Sequence, residues 1–198
     1  MNKLVNIFGV LIIVLMLGTV VWIFWNEDAK YVLPTKKPVD YKNVPLESVI
    51  STEGISHAEQ PRYFHFFQPS CPCSRFNLKH YESLYKKYNK DYKFYFVIPP
   101  NSDMEWVNDL VDVEVRIIID KEKKLANACG VYSTPQAAII NQNGTLYYRG
   151  NYNKGRYCTS KSTNFAEIAL EALKQGRQLP EMGHFAFTPY GCEYNKSN

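Results

Sequence analysis

From Leu4 to Trp25 the chain runs for 22 residues without a charged side chain. At about 1.5 Å per residue, a helix over that run crosses a hydrocarbon core of about 30 Å. A cleaved secretory signal is the alternative. Its apolar stretch is usually shorter, and small residues mark its cut site. Here the run ends in the bulky Trp22-Ile23-Phe24-Trp25, and Trp22 and Trp25 suit a lipid–water interface. The expectation is an uncleaved anchor over residues 1–25, set in the inner (cytoplasmic) membrane through Leu4 to Trp25. Lys3 and the α-amino group precede the run, and Asn26-Glu27-Asp28 follow it. Positive charge stays inside, so the N-terminus is expected in the cytoplasm and the rest outside. In a bacterium that places the globular domain in the periplasm, where disulfides persist.

Residues 26–45 read as a linker. They hold Pro34, Pro38, Pro45 and Lys36-Lys37 with no periodic apolar pattern, and prolines stiffen such a segment. Residues 46–198 then form one domain with a C-terminal tail, in keeping with a 198-residue chain. The balance of 23 Lys+Arg against 19 Asp+Glu is too even and too scattered for nucleic-acid binding. Five cysteines are an odd count and too few for a disulfide-stapled scaffold, so an apolar core must hold the fold.

Within the domain, Tyr63 to Phe67 reads as a strand buried on both faces. A helix over about Arg75–Asn89 puts Leu78, Tyr81, Leu84, Tyr85 and Tyr88 on one face. Strands over Tyr92–Ile98 and Val115–Ile119 flank a short helix at Asp103–Leu110. Lys121–Cys129 is a helix stopped by Gly130. Asn143-Gly144 turns the strand Gln136–Ile140 back into Leu146–Arg149. A last helix, Asn164–Gln175, has Asn164 and Glu167 spaced as a capping pair. Alternating strands and helices closed by an antiparallel hairpin predict an α/β fold with a mixed central sheet flanked by helices.

Cys71-Pro72-Cys73 falls between the aromatic strand and the first long helix of the domain. The thiolate is cysteine's reactive form, and a helix N-terminus favours it through unpaired N–H groups and the positive dipole end. Arg75 adds a full charge and Pro72 stiffens the turn. A disulfide over so short a spacing closes a tight ring, and strained disulfides are the labile ones. Redox exchange, metal binding and two inert helix-start thiols are the three readings of this spacing. For a metal, Cu(I) is the soft ion that two thiolates suit, with His80 or Cys192 as a possible third ligand to Cys71 and Cys73.

Over about Pro61–Lys174 the chain resembles the thioredoxin-like superfamily. The resemblance is carried by the cysteine turn and by Gly130-Val131-Tyr132-Ser133-Thr134-Pro135 with the hairpin that follows. Within the superfamily it is most similar to membrane-anchored, peroxiredoxin-like "redoxin" proteins with a Cys-Pro-Cys-Ser turn. The resemblance implies a thioredoxin-like fold behind the anchor, and a cis bond at Thr134-Pro135 facing the active cysteine. It also implies that the Thr134 backbone pairs with an extended substrate. Cys71 would attack, because the cysteine nearer the strand is usually the exposed one, and Cys73 would resolve. His65 falls where thioredoxins bury a carboxylate and could act as acid or base, although a hydrogen-bonded core histidine is the simpler reading. The peroxidase pattern is absent, since His65 and Gln68 stand where counting from Pro61 requires a hydroxyl and a cysteine. The function expected is a membrane-anchored extracytoplasmic thiol–disulfide oxidoreductase, with protein thiol or disulfide substrates, a redox partner and no dissociable cofactor. A copper-binding protein and a redox-inert interaction module on the same fold are the alternatives.

Of the other cysteines, Cys129 at a helix end reads as a packed core thiol. Cys158 and Cys192 either pair to pin the tail, the arrangement adopted here, or Cys192 approaches the Cys71 turn as a third redox thiol. His57 and His184 carry no motif, and His80 reads as a helix flank residue. Asn143-Gly144-Thr145 and Asn195-Lys196-Ser197 match glycosylation acceptors but are better explained as turn and tail.

Overall fold

A computed structural model describes residues 2–27, 29–31, 33–51, 60–155 and 160–194. His57, Cys158 and the Asn195 acceptor lie outside these residues. Two units are distinguished, Met1–Leu33 and Pro34–Asn198.

The first unit is dominated by helix α1, Asn2–Glu27. Over Lys3–Asn26 it is long and apolar enough to cross a membrane, with none of its most apolar window buried. Two of its polar side chains bond back to the helix backbone. The Thr19 hydroxyl donates to the Leu15 carbonyl and the Asn26 amide to that of Trp22. A segment in hydrocarbon needs such internal partners, because no water is present to supply them.

The second unit carries the α/β domain. In chain order it comprises β1 (Arg62–Phe66), α2 (Pro72–Tyr88), β2 (Lys93–Ile98), α3 (Met104–Leu110) and β3 (Arg116–Ile119). Then follow α4 (Lys124–Cys129), β4 (Ser133–Thr134), β5 (Gln136–Ile140), β6 (Leu146–Gly150), α5 (Phe165–Lys174), α6 (His184–Phe187) and β7 (Cys192–Glu193). Five strands make one sheet in the order β3-β2-β1-β5-β6. β1, β2 and β3 run parallel, while β5 is antiparallel to β1 and to β6. β4 and β7 form a separate two-stranded ladder.

All five β1 residues are buried, because both faces of the sheet are covered. Tyr63 packs on one face with Leu78, Tyr81 and Leu84 of α2 and Phe165, Ala169 and Leu170 of α5. Phe64 and Phe66 pack on the other with Leu125, Ala126 and Cys129 of α4. Helix α2 starts three residues earlier than the apolar spacing suggests. Pro72 takes its first position, where a missing N–H costs nothing. Asp103 caps α3 by accepting from the Trp106 N–H. Asn164 does not cap α5 with its side chain, and its amide donates instead to the Glu167 carboxylate.

Part of the expected linker belongs to the compact unit. The Glu47 N–H donates to the Leu146 carbonyl, the Leu146 N–H to the Ser48 carbonyl, and the Ile50 N–H to the Gly144 carbonyl. Arg149 donates to the Val44 carbonyl at 2.7 Å. On the segment's side these ties are made by backbone groups, which leave no apolar period to read.

Candidate redox site

The strand β1 delivers the chain to a tight turn, where the Cys71 N–H donates to the Gln68 carbonyl at 2.9 Å. The Gln68 N–H in turn donates to the Ser74 hydroxyl at 3.3 Å, so the last residue of the Cys-Pro-Cys-Ser run braces the turn. Cys71 is the N-cap of α2, with extended backbone angles, and its carbonyl accepts the Arg75 N–H. Its side chain makes no capping bond. The sulfur therefore sits at the positive end of a 17-residue helix.

Facing it is the β4–β5 junction. The Thr134–Pro135 peptide bond is cis. Ser133 and Thr134 are fully buried, and the Thr134 carbonyl oxygen lies 3.7 Å from Cys71 Sγ. In a disulfide the sulfur has no proton, so this is a contact only. A reduced Cys71 could donate to that carbonyl.

The third component is the C-terminal tail. Cys71 forms a disulfide with Cys192, across a sequence separation of 121 residues and with Cα atoms 6.0 Å apart. Two expectations are corrected here. Cys192 is bonded to Cys71, so it does not pair with Cys158. Nor does Cys71 pair with Cys73, which is half-buried in the first turn of α2 and outside the disulfide. Cys71 is also not the exposed sulfur. It is 1% accessible, because the tail covers it.

Several ties hold the tail in place. β7 pairs antiparallel with β4, Cys192 opposite Thr134 and Glu193 opposite Ser133. Gly191 has φ +120°, and a β-carbon there would collide with the Thr134 carbonyl oxygen. Only glycine lets the two backbones approach so closely. On the outer side the Thr35 hydroxyl bonds Ser133 Oγ at 2.8 Å and the Gly191 carbonyl at 3.3 Å. The Thr35 N–H donates to the Pro189 carbonyl. Beyond Cys192, the Tyr194 N–H donates to the Tyr132 carbonyl, and the Tyr194 ring meets Phe66 edge-on. Thr35 and Tyr194 were not singled out by sequence, and Ser133 entered only within the Gly130–Pro135 run. Gly191 beside Cys192, a residue without a β-carbon, was the one local signal for a close approach.

The remaining expected residues fall as follows. Arg75 is exposed, and its guanidinium donates to the Pro69 carbonyl at 3.3 Å, so it braces the turn. His65 is fully buried in an aromatic cage of Tyr81, Phe96, Phe67 and Tyr152, and its Nδ1 is 2.6 Å from the Tyr152 hydroxyl. Burial and the neighbouring His80 lower its pKa to about 3, which keeps the imidazole neutral. It is a core histidine hydrogen-bonded through Nδ1. His80 is half-buried beside Tyr152, its pKa lowered by burial and raised in part by Asn164. The copper set is not gathered: its Cys71 and Cys192 are bonded to each other. Among the described residues no group of three His, Cys, Asp or Glu side chains could hold a metal ion. Cys129 is a thiol sealed at the end of α4, and burial pushes its pKa up to about 12. Asp120, at the end of β3, accepts the Leu125 and Ala126 N–H groups. Burial raises its pKa against those bonds.

A family model described as a domain of unknown function (DUF6436) matches residues 44–192. The chain belongs to the DUF6436 family. The match runs from the docked segment at Val44 to Cys192, so both disulfide sulfurs lie inside it. Among curated proteins none matches this chain. An uncharacterized conserved protein from Geobacillus kaustophilus is similar in structure at TM-score 0.66. It is 19% identical, over 82% of this chain and 98% of that one. A hypothetical protein from Sinorhizobium meliloti 1021 is similar at TM-score 0.62 and 14% identity, over 79% of this chain and 97% of that one. A thioredoxin-like protein in the oxidized form matches at TM-score 0.49 and 15% identity, over 70% and 96%. The strand order, with the cysteine-bearing helix after the central β1 and the antiparallel β5–β6 pair closing the sheet, is the thioredoxin-like fold.

Proposed function

We propose that this DUF6436 member is a membrane-anchored, extracytoplasmic thiol–disulfide oxidoreductase in which Cys71 is the exchanging sulfur. The observation that carries this reading is the pairing of a helix-N-terminal cysteine with a remote cysteine laid across Thr134. At that helix end a released Cys71 leaves as a stabilised thiolate, which makes it both a good nucleophile and a good leaving group. Thr134 and Pro135 form the wall facing that sulfur, and Pro72 sets the turn that holds it. Protein thiols or disulfides are the substrates, and a second thiol protein exchanges electrons with the site. The chemistry requires no dissociable cofactor.

Helix α1 supports the anchor. Its flanks, Lys3 on one side and Glu27-Asp28 on the other, favour an N-terminus inside and the domain in the periplasm. The decisive assay is insulin reduction by the full chain in detergent with dithiothreitol as electron donor. Wild type is expected to accelerate precipitation and Cys71→Ser to fall to background. Equal rates for the two would refute the assignment. Protease accessibility of the domain in intact spheroplasts checks the orientation, and protection there would place it inside.

A further inference from the structure

Exchange at Cys71 needs a second sulfur to close the cycle. Sequence spacing offers Cys73, two residues away. The fold offers Cys192, already bonded. The tail around Cys192 is also shaped to its position. Cys192 stands in register with Thr134, Gly191 removes the β-carbon that would hit the Thr134 carbonyl, and Thr35 ties Gly191 to Ser133 from outside. The ladder itself is only two residues long on each strand. So brief a pairing holds weakly once the covalent bond is gone. A backbone edge pairs with one strand at a time, so β7 and an external extended segment compete for Ser133–Thr134.

We propose that Cys192 is the resolving cysteine, and that β7 is a tethered occupant of the β4 edge which must leave before a client strand can pair there. This rests on the exchange reading above. In the reducing direction the Cys71 thiolate attacks a client disulfide. One Cys71–client bond forms and one client sulfur leaves as thiolate. The Cys192 thiolate then attacks Cys71 Sγ. The Cys71–Cys192 bond forms, the second client sulfur leaves as thiolate, and β7 returns to β4. The client gains two electrons and the Cys71–Cys192 dithiol loses two. A dithiol donor reverses these steps, attacking the disulfide and leaving as a disulfide itself.

Oxidised glutathione serves as the probe, added to the reduced full chain in detergent, with acid quench, alkylation and peptide mapping. Wild type and Cys73→Ser are expected to end with Cys71 joined to Cys192. Cys192→Ser is expected to accumulate on the order of tenfold more Cys71–glutathione adduct than wild type. Accumulation in Cys73→Ser, or clearance in Cys192→Ser, would overturn the proposal while leaving exchange at Cys71 intact. If Cys71→Ser consumes oxidised glutathione as wild type does, the exchange reading itself fails. Should Cys192→Ser not fold, the wild-type map decides alone: a Cys71–Cys192 peptide supports the proposal and a Cys71–Cys73 peptide overturns it.

Discussion

Cys71 and Cys129 are both cut off from solvent, at 1% and 0% exposure, and both sit at helix ends on the sheet. They sit at opposite ends. Cys71 precedes α2, where N–H groups and the positive dipole end would stabilise a thiolate. Cys129 closes α4, where the dipole is negative, and burial with Asp120 nearby pushes its pKa up to about 12. Burial alone therefore does not silence a cysteine. The helix end it occupies, and whether a second sulfur can reach it, decide what it does.

The contrast can be broken most directly by substitution. Cys71→Ser is expected to abolish insulin reduction, whereas Cys129→Ala is expected to retain the wild-type rate. Comparable losses in the two would end the distinction. Alkylation of the reduced protein by iodoacetamide at pH 7, followed by mass spectrometry, sharpens it. Cys71 is expected to label in the native state, and Cys129 only after denaturation, because almost none of a thiol with a pKa of about 12 is ionised there.

A third buried group extends the comparison to acid. His65 keeps a pKa of about 3 in the folded chain, below the ordinary value of about 6.5 that it regains on unfolding. The unfolded state then binds the extra proton, so this contribution is complete above about pH 6.5 and is lost as pH falls toward 3. Replacement by Gln is expected to flatten the dependence of Tm on pH between 7 and 4, and an unchanged slope would remove His65 as its source. A smaller effect is expected for Gly191→Ala, whose β-carbon meets the Thr134 carbonyl. The Cys71–Cys192 bond should be reduced faster by dithiothreitol, as measured by thiol release. The smallest is the stability cost of Cys129→Ala, about 1 kcal/mol from the small cavity it leaves. Denaturant titration measures it.

Much of this was legible before any coordinates. Leu78, Tyr81, Leu84 and Tyr88 recur at helical spacing and do line the buried face of α2. Gly130 ends α4 with φ +69°, and Asn143-Gly144 turns β5 into β6. The elements around the tail were not legible. α6 spans four residues, and β4 and β7 two each, too short for any period to accumulate. The docked 34–50 segment is held by Thr35, Val44 and Ser48 through hydroxyl, guanidinium and backbone bonds, and its few apolar contacts, Val44, Leu46 and Ile50, are too irregularly spaced to read as an element.

Local chemistry along the chain thus determined the apolar span, the strand and helix order, and the placement of Cys71 at the start of a helix. Each follows from neighbours within a few residues. Tertiary structure alone chose its partner. Cys73 is two residues away in sequence and Cys192 is 121, yet β7 lies on β4 and brings the distant sulfur to Cys71. Pairing of sulfurs depends on Cα separation and direction in space, and only the folded backbone supplies those.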